Sequence, residues 1–131
     1  MTSLPPATDH DAPDLSRLLG RDYWMVTSTP VDGTTAEDIA ALVPAHIAWL
    51  LELEERHLVF LSGPLVSGPG AGRGSGVTVL RACDEAEVTA IASADPLVTA
   101  GLRTFVVHQW RVNEGSVSMR LSLGRGTYEW Q

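Results

Sequence analysis

The chain has 131 residues, 44% of them hydrophobic and 19% charged, which is one compact domain's worth of sequence with enough apolar material to bury a core unaided. Its nine basic residues are all Arg, scattered among sixteen Asp and Glu for a net charge of −7, a balance that repels phosphate backbones and argues against a nucleic-acid partner. The lone Cys83 allows no intrachain disulfide and no multi-cysteine zinc pattern. Apolar runs such as Ile47–Leu51 are far short of the ~20 residues that cross a bilayer, so no membrane partner is expected.

Residues 1–20 hold three Pro and three Asp and read as a flexible leader, with one helical turn at Leu15–Leu19 capped by Asp14. His10 between Asp9 and Asp11 looks like a metal clamp, but adjacent residues do not easily converge on one ion. With neither basic residues nor an apolar stretch in 1–14, no secretory signal is expected, and the cytoplasm is the expected compartment. Residues 21–131 are read as a single α+β domain, with 113–131 a C-terminal extension.

Asp22–Thr29 alternates Tyr23, Met25 and Thr27 with Trp24, Val26 and Ser28, the pattern of a strand that ends at Pro30. Thr35–Arg56 is a helix: Thr34 or Thr35 caps it, and Glu37 and Asp38 sit in its first turn. Ile39, Leu42, Val43, His46, Trp49, Leu50 and Leu53 form one stripe on a 3.6-residue period. Pro44 either kinks this helix or opens its main part as the first helical residue. His57–Leu61 is a short strand before a Ser62-Gly63-Pro64 turn, and Leu65–Gly76, with five Gly, is a loop. Val77–Ala82 is a strand, and Asp84–Ser93 a helix capped by Asp84. Asp95-Pro96 opens a further helical turn that ends at Gly101. Arg103–Val112 is a strand alternating Val106, His108 and Trp110 with Phe105, Val107 and Gln109. Ser116–Leu123 and Thr127–Trp130 make a terminal hairpin.

The order is β-α-β-β-α-β plus a hairpin, the ferredoxin-like split βαβ arrangement with helices on one face of an antiparallel sheet. Two helices leave the second face bare, and a second copy of the chain is the most economical cover, so a homodimer is expected.

Several stretches resemble the YCII (YciI-like) family. They are Pro44-Ala45-His46-Ile47-Ala48-Trp49-Leu50, Leu61-Ser62-Gly63-Pro64-Leu65, and Asp95-Pro96-Leu97 followed by Gly101-Leu102. The family carries HxxWL in a helix, a strand ending in SGP, a Gly-rich loop and a DPF-type motif; this chain departs in having Leu97 where an aromatic is usual, a leader, and the terminal hairpin. The resemblance implies the dimeric α+β barrel superfamily and a proposed active pair that falls on His46 and Asp95. A relative in chloroaromatic degradation is a dehydrochlorinase, while the fold serves many other chemistries.

His46 lies mid-stripe and points toward the sheet. From the residues alone it is either a core histidine bonded to a carbonyl or a base whose tautomer an acid fixes. Asp95 before Pro96 is a natural cap, and one carboxylate oxygen could cap while the other accepts from His46. Such a pair supports general acid–base catalysis: isomerisation, cyclisation or elimination, including dehydrochlorination, on a small carbonyl-bearing or aromatic molecule. The alternative is a non-catalytic ligand-binding or accessory dimer of the same fold. Further candidate substrate contacts are Ser62, equally readable as a turn residue; Trp49, pocket wall or core; and His108 and Trp110, which line a pocket only if their strand face looks into it. Arg73 could position the Gly-rich loop as a flap over the pocket mouth. That loop lacks the phosphate-binding pattern and leads into a strand, so no nucleotide is expected. HExxH and paired-His spacings are absent, so neither metal nor cofactor is expected, and Cys83 reads as a small strand-end residue.

Overall fold

The computed structural model describes residues 12–131, and Asp9-His10-Asp11, set aside above as a metal clamp, lies outside that range, as does most of the leader. Arg21–Val112 forms one compact unit, and residues up to Gly20 together with Asn113–Gln131 form another.

The first unit runs β1 (Arg21–Pro30), α1 (Ala36–Glu55), β2 (Val59–Pro64), β3 (Gly76–Leu80), α2 (Glu85–Ser93), α3 (Pro96–Thr99) and β4 (Arg103–Val112). Its four strands lie in the order β2-β3-β1-β4, and every neighbouring pair is antiparallel. The expected α+β, ferredoxin-like architecture is therefore present. Register places Val26 beside Thr78 and Val107, and Trp24 beside Leu80 and Gln109. Because side chains alternate along a strand, this set shares one face. Val26 and Leu80 pack there with Val88 and Ala92 of α2, flanked by Trp24, Val59, Ile91, Phe105 and Val107. The opposite face carries Tyr23, Met25 and Thr27 with Val106, His108 and Trp110.

Helix α1 is one uninterrupted helix with Pro44 inside it, so Pro44 does not open a separate helix. Thr35 accepts from the Asp38 N–H at 3.2 Å while Asp38 accepts from the Thr35 N–H at 3.0 Å, a reciprocal capping box. The far end closes at His57, whose φ of +58° is left-handed. The His57 N–H reaches the Glu54 carbonyl, and the Leu58 N–H reaches back to Leu53 at 2.9 Å, the pair of bonds that satisfies orphan carbonyls at a helix end. The residues expected to begin β2 are consumed by this cap, so the strand starts at Val59. It continues through Ser62-Gly63-Pro64, which was read as a turn. Proline is tolerated there because β2 is an edge strand. Between Val59 and Leu61 the ladder slips, and Phe60 stacks on Tyr23 at 4.6 Å. The Arg81 guanidinium sits 5.1 Å from the Phe60 ring centre.

Helix α2 is capped by Asp84, which accepts from the Glu87 N–H at 2.8 Å. In the second unit, Leu15–Arg17 is a single 3-10 turn with Asp14 accepting from the Ser16 N–H, and Leu19 donates to the Asn113 carbonyl at 2.9 Å. There β5 (Met119–Ser122), shorter than expected, pairs with β6 (Thr127–Trp130).

Candidate active site

A cavity of about 310 Å³ opens between α1 and the β2–β3 end of the sheet. The α1 wall is Ile39, Val43, His46, Ile47 and Leu50, and the sheet supplies Ser62 and Thr78. Backbone of the loop between β2 and β3 closes one side at Gly72, Gly74 and Ser75, while Leu97 and Arg103 contribute from α3 and β4. The open mouth explains why Val43 and Ile47, although apolar, are 38% and 44% exposed.

His46 sits in the α1 face that meets α3. Its Nδ1 is 2.9 Å from Asp95 Oδ1. Asp95 is 2% exposed and is the cap of α3, its Oδ1 also accepting from the Leu97 N–H at 2.9 Å. The same oxygen thus does both jobs, where the sequence suggested one for each. The second oxygen is taken by Arg103 Nη2, because a guanidinium buried beside it needs a counter-charge. Burial acts to raise the Asp95 pKa, but the hydrogen bonds from His46 and Leu97 and the charge of Arg103 outweigh it. The carboxyl is held below its ordinary value. An ionised Asp95 accepts from Nδ1–H, which leaves Nε2 of a neutral His46 as the unprotonated nitrogen.

Arg103 was not among the residues singled out from the sequence. Strand alternation was the available signal: Arg103 shares its face with Phe105 and Val107, and a cation on a helix-covered face needs a partner. Its Nη1 also donates to the Gly74 carbonyl at 3.3 Å. Its Nε is buried and has no hydrogen-bond partner among the described residues. Thr78 was likewise missed; its hydroxyl is 2.8 Å from that of Ser62 across the β2–β3 pair, on the cavity wall.

The other expected contacts fall elsewhere. Trp49 does not line this cavity; it stands one helical turn beyond His46, ring centres 5.8 Å apart, beside a separate small void near Val26 and Ala92. His108 and Trp110 project from the sheet face opposite the helices, since β4 alternates and Arg103 and Phe105 occupy the helix side. Arg73 is exposed, and only its backbone bonds within the loop, to Gly70 at 3.0 Å. That loop is braced by Ser75, whose hydroxyl donates to Pro69 and whose N–H donates to Gly70. Cys83 is exposed, and the hydrogen bond to Glu87, followed by the Glu87 charge, pushes its thiol pKa up, the reverse of what a nucleophile needs. Among the described residues no three His, Cys, Asp or Glu side chains group as metal ligands, and no helix is long and apolar enough to cross a membrane.

The family model described as the YCII-related domain matches residues 23–111, which span β1 to β4 and hold His46, Asp95 and Arg103. The chain belongs to the YCII-related family. No curated protein matches its sequence significantly. Among solved structures, it is similar to 5-chloro-2-hydroxyhydroquinone dehydrochlorinase (TftG) from Burkholderia phenoliruptrix AC1100, in complex with 2,5-dihydroxybenzoquinone. That likeness has a TM-score of 0.57 at 22% identity, covering 67% of this chain and 92% of the other. At this identity the likeness shows a shared fold.

Proposed function

We propose that this YCII-related protein is a small enzyme in which His46 acts as general base and acid on a small carbonyl-bearing or hydroxylated aromatic molecule held in the cavity. The observation that carries the reading is the 2.9 Å contact between His46 Nδ1 and a buried, ionised Asp95, with the imidazole on the wall of the cavity. Nε2 takes a proton from an O–H, or from carbon next to a carbonyl, and Asp95 stabilises the resulting imidazolium. The electron pair left behind either expels a leaving group, as chloride in a dehydrochlorination, or accepts the proton back at another carbon in an isomerisation. Positioned proton transfer of this kind is worth roughly 10²–10⁴ in rate. A ligand filling the mostly apolar cavity displaces water from it, and the Ser62–Thr78 hydroxyl pair can donate to a developing oxyanion. The dihydroxybenzoquinone bound by the structural relative makes hydroxyquinones and their chlorinated precursors the first compounds to try.

The reading includes a homodimer formed through the helix-free sheet face, where Leu61, Val106 and Trp110 are exposed, and light scattering after gel filtration tests it. A lone exposed thiol suits a reducing compartment, and the reading places the protein in the cytoplasm. The deciding experiment for catalysis is turnover of a hydroxyquinone and enolisable-carbonyl panel by the wild type and by His46→Ala, each shown folded by circular dichroism. Turnover lost in His46→Ala supports the reading. Turnover retained refutes it, and binding of these compounds without turnover in the wild type points to a ligand-binding dimer.

A further inference from the structure

We propose that Arg103 is a positioning residue of this site, a two-pronged clamp that fixes the plane of the Asp95 carboxylate and ties it to the cavity wall at Gly74. The inference rests on the His46–Asp95 reading and adds a residue and a connection to it. Three observations converge. Arg103 reaches the one carboxylate oxygen that neither His46 nor the α3 cap uses. Its other terminal nitrogen donates to the Gly74 carbonyl, and Gly74 itself lines the cavity. Finally, Arg103 lies at the first position of β4 and is 8% exposed, so its guanidinium is held in place by the surrounding fold.

The geometry makes the clamp specific to arginine. A guanidinium presents donors in a rigid planar fork, whereas an ammonium is a point charge on a flexible stem. With one prong on Asp95 and one on Gly74, the fork couples the orientation of the carboxylate to the position of the loop. Gly74 is in turn confined: its φ is +119°, and a Cβ there would stand 3.2 Å from Ile39 Cδ1 on α1. A ligand that displaces the Gly74 wall would therefore pull on the carboxylate that sets the His46 tautomer. His46 contacts Asp95 from the α3 cap and the Trp49 ring on its own helix, and it shares the cavity wall with Ser62 and Thr78 of β2 and β3. Among the described residues, Arg103 is the one cation of the cavity wall.

The test is ring-nitrogen NMR of His46 and backbone amide NMR of Gly74 in the full chain, comparing wild type with Arg103→Met, Arg103→Lys and Asp95→Ala. The wild type is expected to show neutral His46 protonated at Nδ1. Arg103→Met should mix the two tautomers and displace the Gly74 amide. Arg103→Lys should restore the Nδ1–H tautomer by returning the charge while leaving the Gly74 amide displaced, because one ammonium cannot reproduce the fork. A folded Arg103→Met with unchanged tautomer and Gly74 amide overturns the clamp. If that variant does not fold, a Gly74 amide at its wild-type position in Arg103→Lys overturns it instead. Asp95→Ala, which removes the acceptor altogether, separates this from the underlying reading: if it leaves the His46 tautomer untouched, the pair itself fails. If it shifts the tautomer while the Arg103 variants do not, only the clamp fails.

Discussion

Replacing Asp95 with Ala removes three partnerships at one buried point. The cap acceptor for the Leu97 N–H at 2.9 Å is lost, which costs about 1 kcal/mol in ordinary helices. The counter-charge of Arg103 is also lost, and Arg103 and Asp95 side chains are only 9% and 3% exposed. Breaking a buried pair on one side costs roughly 3–5 kcal/mol because the surviving charge is left unpaired. These contributions overlap, and about 4–5 kcal/mol in all is expected, a large part of the 5–15 kcal/mol that typically separates folded from unfolded chains. Asp95→Asn keeps an oxygen for the cap and removes only the charge, so it should cost about 1 kcal/mol less. Urea unfolding followed by fluorescence and circular dichroism measures both. The same group gives a pH signature. Its folded pKa is depressed below 3.8, so its contribution is complete above that value and is lost as pH falls through the folded pKa. Wild-type stability should therefore drop below about pH 4 with a steepness that Asp95→Asn lacks. A loss of no more than about 1 kcal/mol in Asp95→Ala would mean that only the cap matters, and the argument for a charged, clamped carboxylate would collapse.

Leu97 is 2% exposed, and Leu97→Ala should cost roughly 2–5 kcal/mol in chemical denaturation and enlarge the cavity. Gly74→Ala meets both an unfavourable backbone conformation at φ +119° and a contact of 3.2 Å with Ile39. A loss of about 1–3 kcal/mol is expected, read as a lower thermal midpoint; an unchanged midpoint would show that the loop yields freely. Thr35→Ala breaks the capping box of α1 and should cost about 1 kcal/mol, seen as a lower urea midpoint with the slope unchanged.

The local elements were written in short-range chemistry. Thr35 with Asp38, Asp84 with Glu87, and Asp95 before Pro96 each cap a helix within three residues of sequence, and those helices begin where the caps predict. The alternation of Arg103–Val112 fixed β4 end to end. Boundaries failed where a longer-range or conformational device intervened. His57 adopts a left-handed conformation normally given to glycine, which moved the start of β2, and an edge position let Pro64 stay in the strand. From sequence, His46 and Asp95 were candidates, but they lie forty-nine positions apart. Only the packing of α1 on α3 brings them within 2.9 Å. The partnership of Arg103 with Asp95 and Gly74 is likewise tertiary, because it joins a strand, a helix cap and a loop. His108 and Trp110 show the converse: alternation put them on one face, but which face holds the cavity is set by where the helices pack. Sequence by itself determined the order of elements, their caps and the acidic, Arg-only character of the chain, since those depend on neighbours a few residues apart. The tertiary structure decided which side chains share a cavity, how Asp95 divides its oxygens, and that a buried arginine stands behind the pair, since those depend on contacts between distant segments.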